Sequence, residues 1–383
     1  MNADFHYFAT YCASLIAGYS NEEAEKIAYS ANFVDCCTMT MLKKCGAPSS
    51  AATTQSQLEL ADFTTDILGL HEITRIWASF HFLPGDLYAP CKKGWRNYKN
   101  KFRLICKPNG ELVKDTVMLA KGGSLEAIGI AMHILADTWA HQNFAGTPSL
   151  VINNTNTHVY EIFEGNEYQI SFSHNPGRKD NIEERKYINS LYSGKETSIM
   201  NLGHGRMGHL PDLSFIKYKY LPAWGKWNEL IKDNPSDYVK AFTQMVYTLK
   251  FYRGINAEFK LNEYDPLEKY IDKVVAIINK RQLSAAEDWK AFASELAGKE
   301  VNDFDVKKYI DTYLNSSNKD KTEFNSFILH ALKQKSMVTN RIYKSKNKLA
   351  GYSIEYNGNS LKGLKDYWKL IEHEIKEKEK KHE

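Results

Sequence analysis

No run of about 18 consecutive apolar residues occurs in the 383-residue sequence, so a membrane-spanning helix is not expected. The opening residues, MNADFHYFATYC, lack the basic segment and the long apolar segment of a secretory leader, which points to a cytoplasmic protein. Cysteine is scarce. Cys12, Cys36, Cys37, Cys45, Cys91 and Cys106 form no C-x-x-C pair, which excludes the common zinc-finger spacings and favours free, buried thiols over disulfides. Charge of one sign is also missing: 50 basic against 46 acidic residues leaves +4, too little to argue for nucleic acid, and no stable nucleic-acid complex is expected. Internal repeats and low-complexity tracts are absent.

What is present is ordinary for a globular chain, with 43% hydrophobic and 25% charged residues, enough to bury a large core. The 23 Tyr, 18 Phe and 7 Trp make that core large-ringed. Apolar spacing predicts helices over 4–19, 21–38, 57–80, 113–120, 124–143 and 235–253. Ser20 or Asn21 suits an N-cap, with Glu22 and Glu23 at the positive end of the helix dipole. KPNG at 107–110 could close a small hairpin. Residues 145–200 alternate like short strands and read as an insertion. Beyond 260, Lys and Glu rise and further helices are expected at 267–280, 284–297, 304–314 and 321–335, with a solvated charged helix at 362–383. The expected architecture is all-α: a metal-binding helical core at 1–258 carrying the insertion, then a helical extension at 259–383.

The chemistry concentrates in AMHILADTWAHQNF, residues 131–144. His133, Asp137 and His141 are four residues apart, so on a helix they fall near one face. Their neighbours are apolar, and an unpaired buried charge costs several kcal/mol, roughly the penalty a cation would remove. An Asp–His hydrogen-bonded pair in the core is the plain alternative. Nine of the twelve histidines lie at or before residue 209. Of these, His81 sits between aromatics in WASFHFLPGD, and His6 lies beside Asp4 in the ring-rich amino terminus. Asp35 ends the apolar run ANFVDCC, where a helix-end hydrogen bond is the competing role. LGHGRMGHLPDLSF adds His204, His209 and Asp212, with three glycines that let the backbone bend around a site, and Arg206 as a possible bidentate phosphate donor. One ion uses three or four ligands, so this set suffices for two or three ions. Two metals about 4 Å apart can clamp the attacking and leaving oxygens of a phosphate ester.

The order His6, Asp35, His81, His133-x3-Asp137, His141, then His and Asp at 204–212 resembles the zinc-dependent phospholipase C family and the related single-strand-specific nucleases. DFHYFATYCASLIAGYS, SANFVDCC and GHLPD also resemble an uncharacterised family of bacterial cytosolic proteins with this site. The resemblance covers about residues 1–255. It implies an all-helical phosphodiester hydrolase with two or three zinc ions. Asp35, His81, His133 and Asp137 would hold one ion, with Asp137 bridging. His141 and one or two of His204, His209 and Asp212 would hold a second, and His6 a third, while Asp35 would also aid the attacking water. The chain departs from the pattern in three places. Met1 stands in place of an amino-terminal Trp, with Asp4 as a possible substitute ligand; the gap from Asp137 to His141 is short; and the closing His-x3-acid spacing is lost. A catalytically inactive, metal-stabilised scaffold is the competing function. A di-iron bundle is disfavoured, because Glu-x-x-His pairs on facing helices are lacking.

Overall fold

The computed structural model describes residues 1–63, 67–89, 103–148, 150–173, 177–189, 202–222, 224 and 228–345. The amino terminus enters through a π-helical turn, Phe5–Ala9, that runs into α1 (Thr10–Ile16). Next come α2 (Asn21–Phe33), α3 (Met39–Lys44), α4 (Gln57–Phe63), α5 (Ile67–Phe80), α6 (Glu111–Ala120), α7 (Leu125–Ala140) and the short α8 (Leu150–Asn153). Strands β1 (Thr155–Phe163), β2 (Asn166–Gln169), β3 (Ser171–Ser173), β4 (Lys186–Ile188), β5 (Lys217–Pro222) and β6 (Leu230–Asp233) follow. The chain then returns to helix in α9 (Asn234–Tyr252), α10 (Ile271–Asn279), α11 (Ala286–Ala297), α12 (Lys307–Asn315) and α13 (Glu323–Lys344).

Local chemistry fixes the ends of the two helices that matter most. Ser20 caps α2 by accepting from the Glu23 amide, and Glu23 reaches back to the Ser20 amide, a complete capping box. Ser124 caps α7 through the Ala127 amide. From Glu126 to Ala140 every α7 residue is buried, as expected of a helix apolar on all sides. Gly129 lets α7 press onto α2: a Cβ there would lie 2.4 Å from the Ile27 carbonyl oxygen.

The chain is mostly helical, but it is not all-α. β1, β2, β5 and β6 form a four-stranded antiparallel sheet in the order β2-β1-β5-β6, and β3 pairs in parallel with β4. The expected insertion at 145–200 therefore supplies only part of the sheet; β5 and β6, at 217–233, complete it. β5 reads Lys-Tyr-Lys-Tyr, a period-2 alternation that buries Tyr218 and Tyr220 on one face. KPNG closes no hairpin either. Gly110 serves as the N-cap of α6, and Cys106 instead bridges back to Pro84. Residues 64–66, inside the helix expected at 57–80, and the charged segment 362–383 lie outside the described residues.

One apolar cluster runs from Met1 through α1, α2, α7 and α9 and on to Trp289, Phe327 and Ile342, so the segment after 259 packs into the same core as the first helices. A second cluster, with Phe82, Phe144, Met207, Leu210, Tyr218 and Tyr220, lies between the sheet and the end of α7. Cys12, Cys37, Cys45 and Cys106 are buried free thiols and Cys36 is half-buried; Cys91 lies outside the described residues.

Candidate metal centre

Asp137 is the hub. It projects from the last turn of α7 and is 1% exposed. Its Oδ2 lies 3.1 Å from His133 Nε2 and 3.2 Å from His81 Nδ1, and those two ring nitrogens are 3.3 Å apart. Asp35, just past the end of α2, brings Oδ1 to 3.6 Å from His81 Nδ1 and 3.9 Å from His133 Nε2. On the other side of the same carboxylate, Oδ1 lies 3.1 Å from His6 Nε2 and 2.7 Å from the Met1 amino nitrogen. His141, the C-cap of α7, carries the cluster onward: its Nε2 is 3.2 Å from Asp212 Oδ1, and His204 Nε2 is 3.5 Å from Asp212 Oδ2.

Among the described residues, three groups emerge in which donor atoms lie within 4.8 Å of one another: His6, His133 and Asp137; Asp35, His81 and His133; His141, His204 and Asp212. Metal–nitrogen bonds of about 2.0–2.1 Å in a tetrahedral shell put the ligand atoms about 3.3 Å apart. Most of the separations around Asp137 and Asp212 are close to that spacing. These groups could each hold a metal ion.

The outward nitrogens explain the ring orientations. His133 Nδ1 donates to the Ala31 carbonyl at 2.9 Å, and His81 Nε2 to the Thr53 carbonyl at 2.9 Å. His141 Nδ1 donates to the His81 carbonyl at 2.8 Å, and His204 Nδ1 to the Gly208 carbonyl at 2.8 Å. A carbonyl only accepts, so each of these nitrogens carries the proton, and in the neutral ring the lone pair is on the nitrogen that faces the centre. Lone pairs at this spacing repel one another and the carboxylates unless a cation lies among them; the Met1 ammonium, 3.2 Å from both His141 Nε2 and Asp212 Oδ1, supplies such a charge on one side. Among the described residues the buried Nδ1 of His6 has no hydrogen-bond partner.

Residues 1–343 match the family described as "Family of unknown function (DUF6765)". The chain belongs to the DUF6765 family. No curated protein and no solved structure matches it.

In this DUF6765 chain the charges are mutually adjusted. Burial opposes ionisation of Asp137, yet His141, the Met1 amine, His133 and His6 together hold its carboxyl well below the usual range. Asp212 behaves alike: burial is outweighed by His204, the Met1 amine and His141. Burial likewise disfavours a charged Met1 amine, but Asp137, Asp212 and Asp35 push it up to about 11. Burial, reinforced by His133, pushes His6 down to about 4, and burial pushes His204 down to about 4 against the pull of Asp212. His81 moves up: burial is overcome by its bond to Asp137 and the charge of Asp35.

Of the ten residues singled out from the sequence, eight converge here: His6, Asp35, His81, His133, Asp137, His141, His204 and Asp212. Two do not. Asp4 precedes His6 by two residues at a helical turn, which sets the two on roughly opposite sides of the axis; it accepts from the amides of Phe5 and Ala285. His209 is also elsewhere. Gly208, at φ +55°, turns the chain between the two histidines, and His209 points outward to Asp180 at 2.6 Å. The Met1 nitrogen was overlooked as a donor, because the sequence places it five residues from His6 with no sign of the fold-back. Asp4 was considered in its place.

Proposed function

We propose that this chain is a zinc-dependent phosphoesterase that cleaves a phosphodiester by attack of water. The reading rests above all on one observation, the four imidazoles whose outward N–H groups are tied to backbone carbonyls, which leaves their lone pairs aimed at two shared carboxylates. Asp35, His81, His133 and Asp137 would hold one ion and His141, His204 and Asp212 a second. His6, across Asp137, would hold a third. When bound, such cations supply the Lewis-acid charge that lowers the pKa of water and neutralises phosphoryl oxygens.

The chain's own residues divide the remaining work. Asp35 is the open side of the centre, 39% exposed against 1% for Asp137. Its carboxylate is therefore the one that a substrate and solvent can reach, and it accepts a proton from the attacking water. Asp137, sealed from solvent and shared between both sides, fixes the spacing of the set. Arg206, half-buried in the loop of His204, is the candidate donor to a phosphate oxygen.

The competing reading is a scaffold whose metal only supports the helical core. The near-complete burial of His6, His133 and Asp137 favours it. One set of measurements separates the two. Protein purified without chelator is expected to carry two or three zinc ions by elemental analysis and to hydrolyse bis-p-nitrophenyl phosphate, with loss on chelation and recovery on adding zinc. Bound zinc without hydrolysis selects the scaffold; protein free of metal removes both.

A further inference from the structure

Asp4 grips the chain at a distance. One carboxylate oxygen accepts from the Phe5 amide at 2.7 Å. The other accepts from the Ala285 amide at 2.6 Å, with Ser284 Oγ at 3.5 Å. Ala285 is the N-cap of α11, 281 positions along the chain. Beside this contact the Asn2 amide reaches the Leu283 carbonyl at 3.5 Å, and the Phe5 ring stands edge-on to Trp289 at 5.9 Å. Residues 2, 4 and 5 therefore face the turn 283–285 and α11. Met1 and His6, on the opposite side of the same short segment, meet Asp137 Oδ1, and the Met1 nitrogen also lies 3.2 Å from Asp212 Oδ1 and from His141 Nε2; of the imidazoles in the centre, His6 alone is carried by this segment.

We infer that Asp4 and the turn 283–285 form a clasp that positions the amino-terminal segment for metal binding, so that the carboxyl-terminal helices set the affinity of one ion and not of the others. This rests on the metal-centre reading above. The physical reason is order. The first residues of a chain are mobile unless tied down, and a ligand that must be ordered as the ion arrives binds it more weakly. His81, His133, His141, His204 and Asp212 lie outside the amino-terminal segment, so their placement does not run through Asp4. Asp4 touches no donor atom of the centre; it is a positioning residue.

The test is a cobalt(II) titration of the metal-stripped full-length chain, wild type against Asp4→Ala, with bound cobalt counted by elemental analysis and the visible spectrum recorded at each step. Circular dichroism verifies the fold. In Asp4→Ala the weakest of the cobalt sites should lose about 10- to 100-fold in affinity, the range typical when a ligand's support is removed. The remaining sites should fill as in wild type, with unchanged bands. Asp4→Asn, which keeps one oxygen acceptor, should recover part of the loss. Ala285→Pro, which removes the far N–H, should reproduce it. Wild-type affinity at every site in Asp4→Ala overturns the clasp, as does an equal weakening of all sites, the mark of general destabilisation. A wild-type chain that takes up no cobalt overturns the metal-centre reading and the clasp with it.

Discussion

On one side of Asp137 the donors are carried by helices. His133 is inside α7, His81 directly follows α5 and Asp35 follows α2, and Gly129 brings α7 close enough to α2 for the Ala31 carbonyl to orient His133. On the other side His204 and Asp212 sit in a loop of single 3-10 turns, Gly205–Met207 and Leu210–Asp212. There the support is not helical packing but the second core against the sheet: Met207 and Leu210 are buried with Tyr218 and Tyr220, and the Phe82 ring stacks on His141 at 4.7 Å. On the helical side each ligand is carried within a packed helix or directly at its end. The loop side is only as fixed as the backbone bends that Gly203 and Gly208 permit.

Asp137→Asn should strike the helical side hardest, since His133, His81 and His6 all meet this carboxylate. We expect a loss of metal affinity of about 100-fold or more and no measurable hydrolysis, read by equilibrium dialysis and a phosphodiester assay. Gly208→Ala should expose the difference. A Cβ there would meet the Ile188 carbonyl oxygen at 2.0 Å, at a φ of +55° that alanine resists. The strain, on the order of 3 kcal/mol, should displace the carbonyl that orients His204. One ion should be lost from the loop side while the helical side keeps its own; uniform loss of all ions would contradict the division.

Two smaller effects test the helical frame away from the metals. His330 of α13 is buried, its Nε2 has no hydrogen-bond partner among the described residues, and it is pushed down to about 4 by burial and then by Lys333. Its folded value lies below the ordinary 6.5, so the unfolded chain binds the extra proton first. Stability tied to His330 is present above pH 6.5 and is lost as pH falls toward about 4, by on the order of 3 kcal/mol. His330→Leu should flatten that part of the stability–pH curve in urea melts at pH 4 to 7. Ser20→Ala, which breaks the capping box of α2, should cost about 1 kcal/mol in the same melts and leave the metal count unchanged.

The same division separates what could be read in the sequence from what could not. The row His133, Asp137, His141 was legible because a helix converts a spacing of four into one face, and the apolar residues around it announced burial. Asp35 and His81 were legible as polar groups closing apolar runs. The loop was only half legible. His204, His209 and Asp212 looked equivalent, since residue type and spacing say nothing about the turn at Gly208 that sends His209 outward. Asp4 misled for a related reason: it is adjacent to His6 in sequence but on the opposite side of the helical turn.

Periodicity by itself determined the long helices, their capped starts and the buried carboxylate–imidazole row, because these depend on residues a few positions apart whose geometry the backbone fixes. Only the tertiary structure decided that the Met1 nitrogen returns to Asp137, that β5 and β6 complete the sheet, and that the turn at 283–285 grips Asp4. Each of these joins residues far apart in the chain or reverses its direction. Such contacts are selected by the packing of the whole core, and no local pattern encodes them.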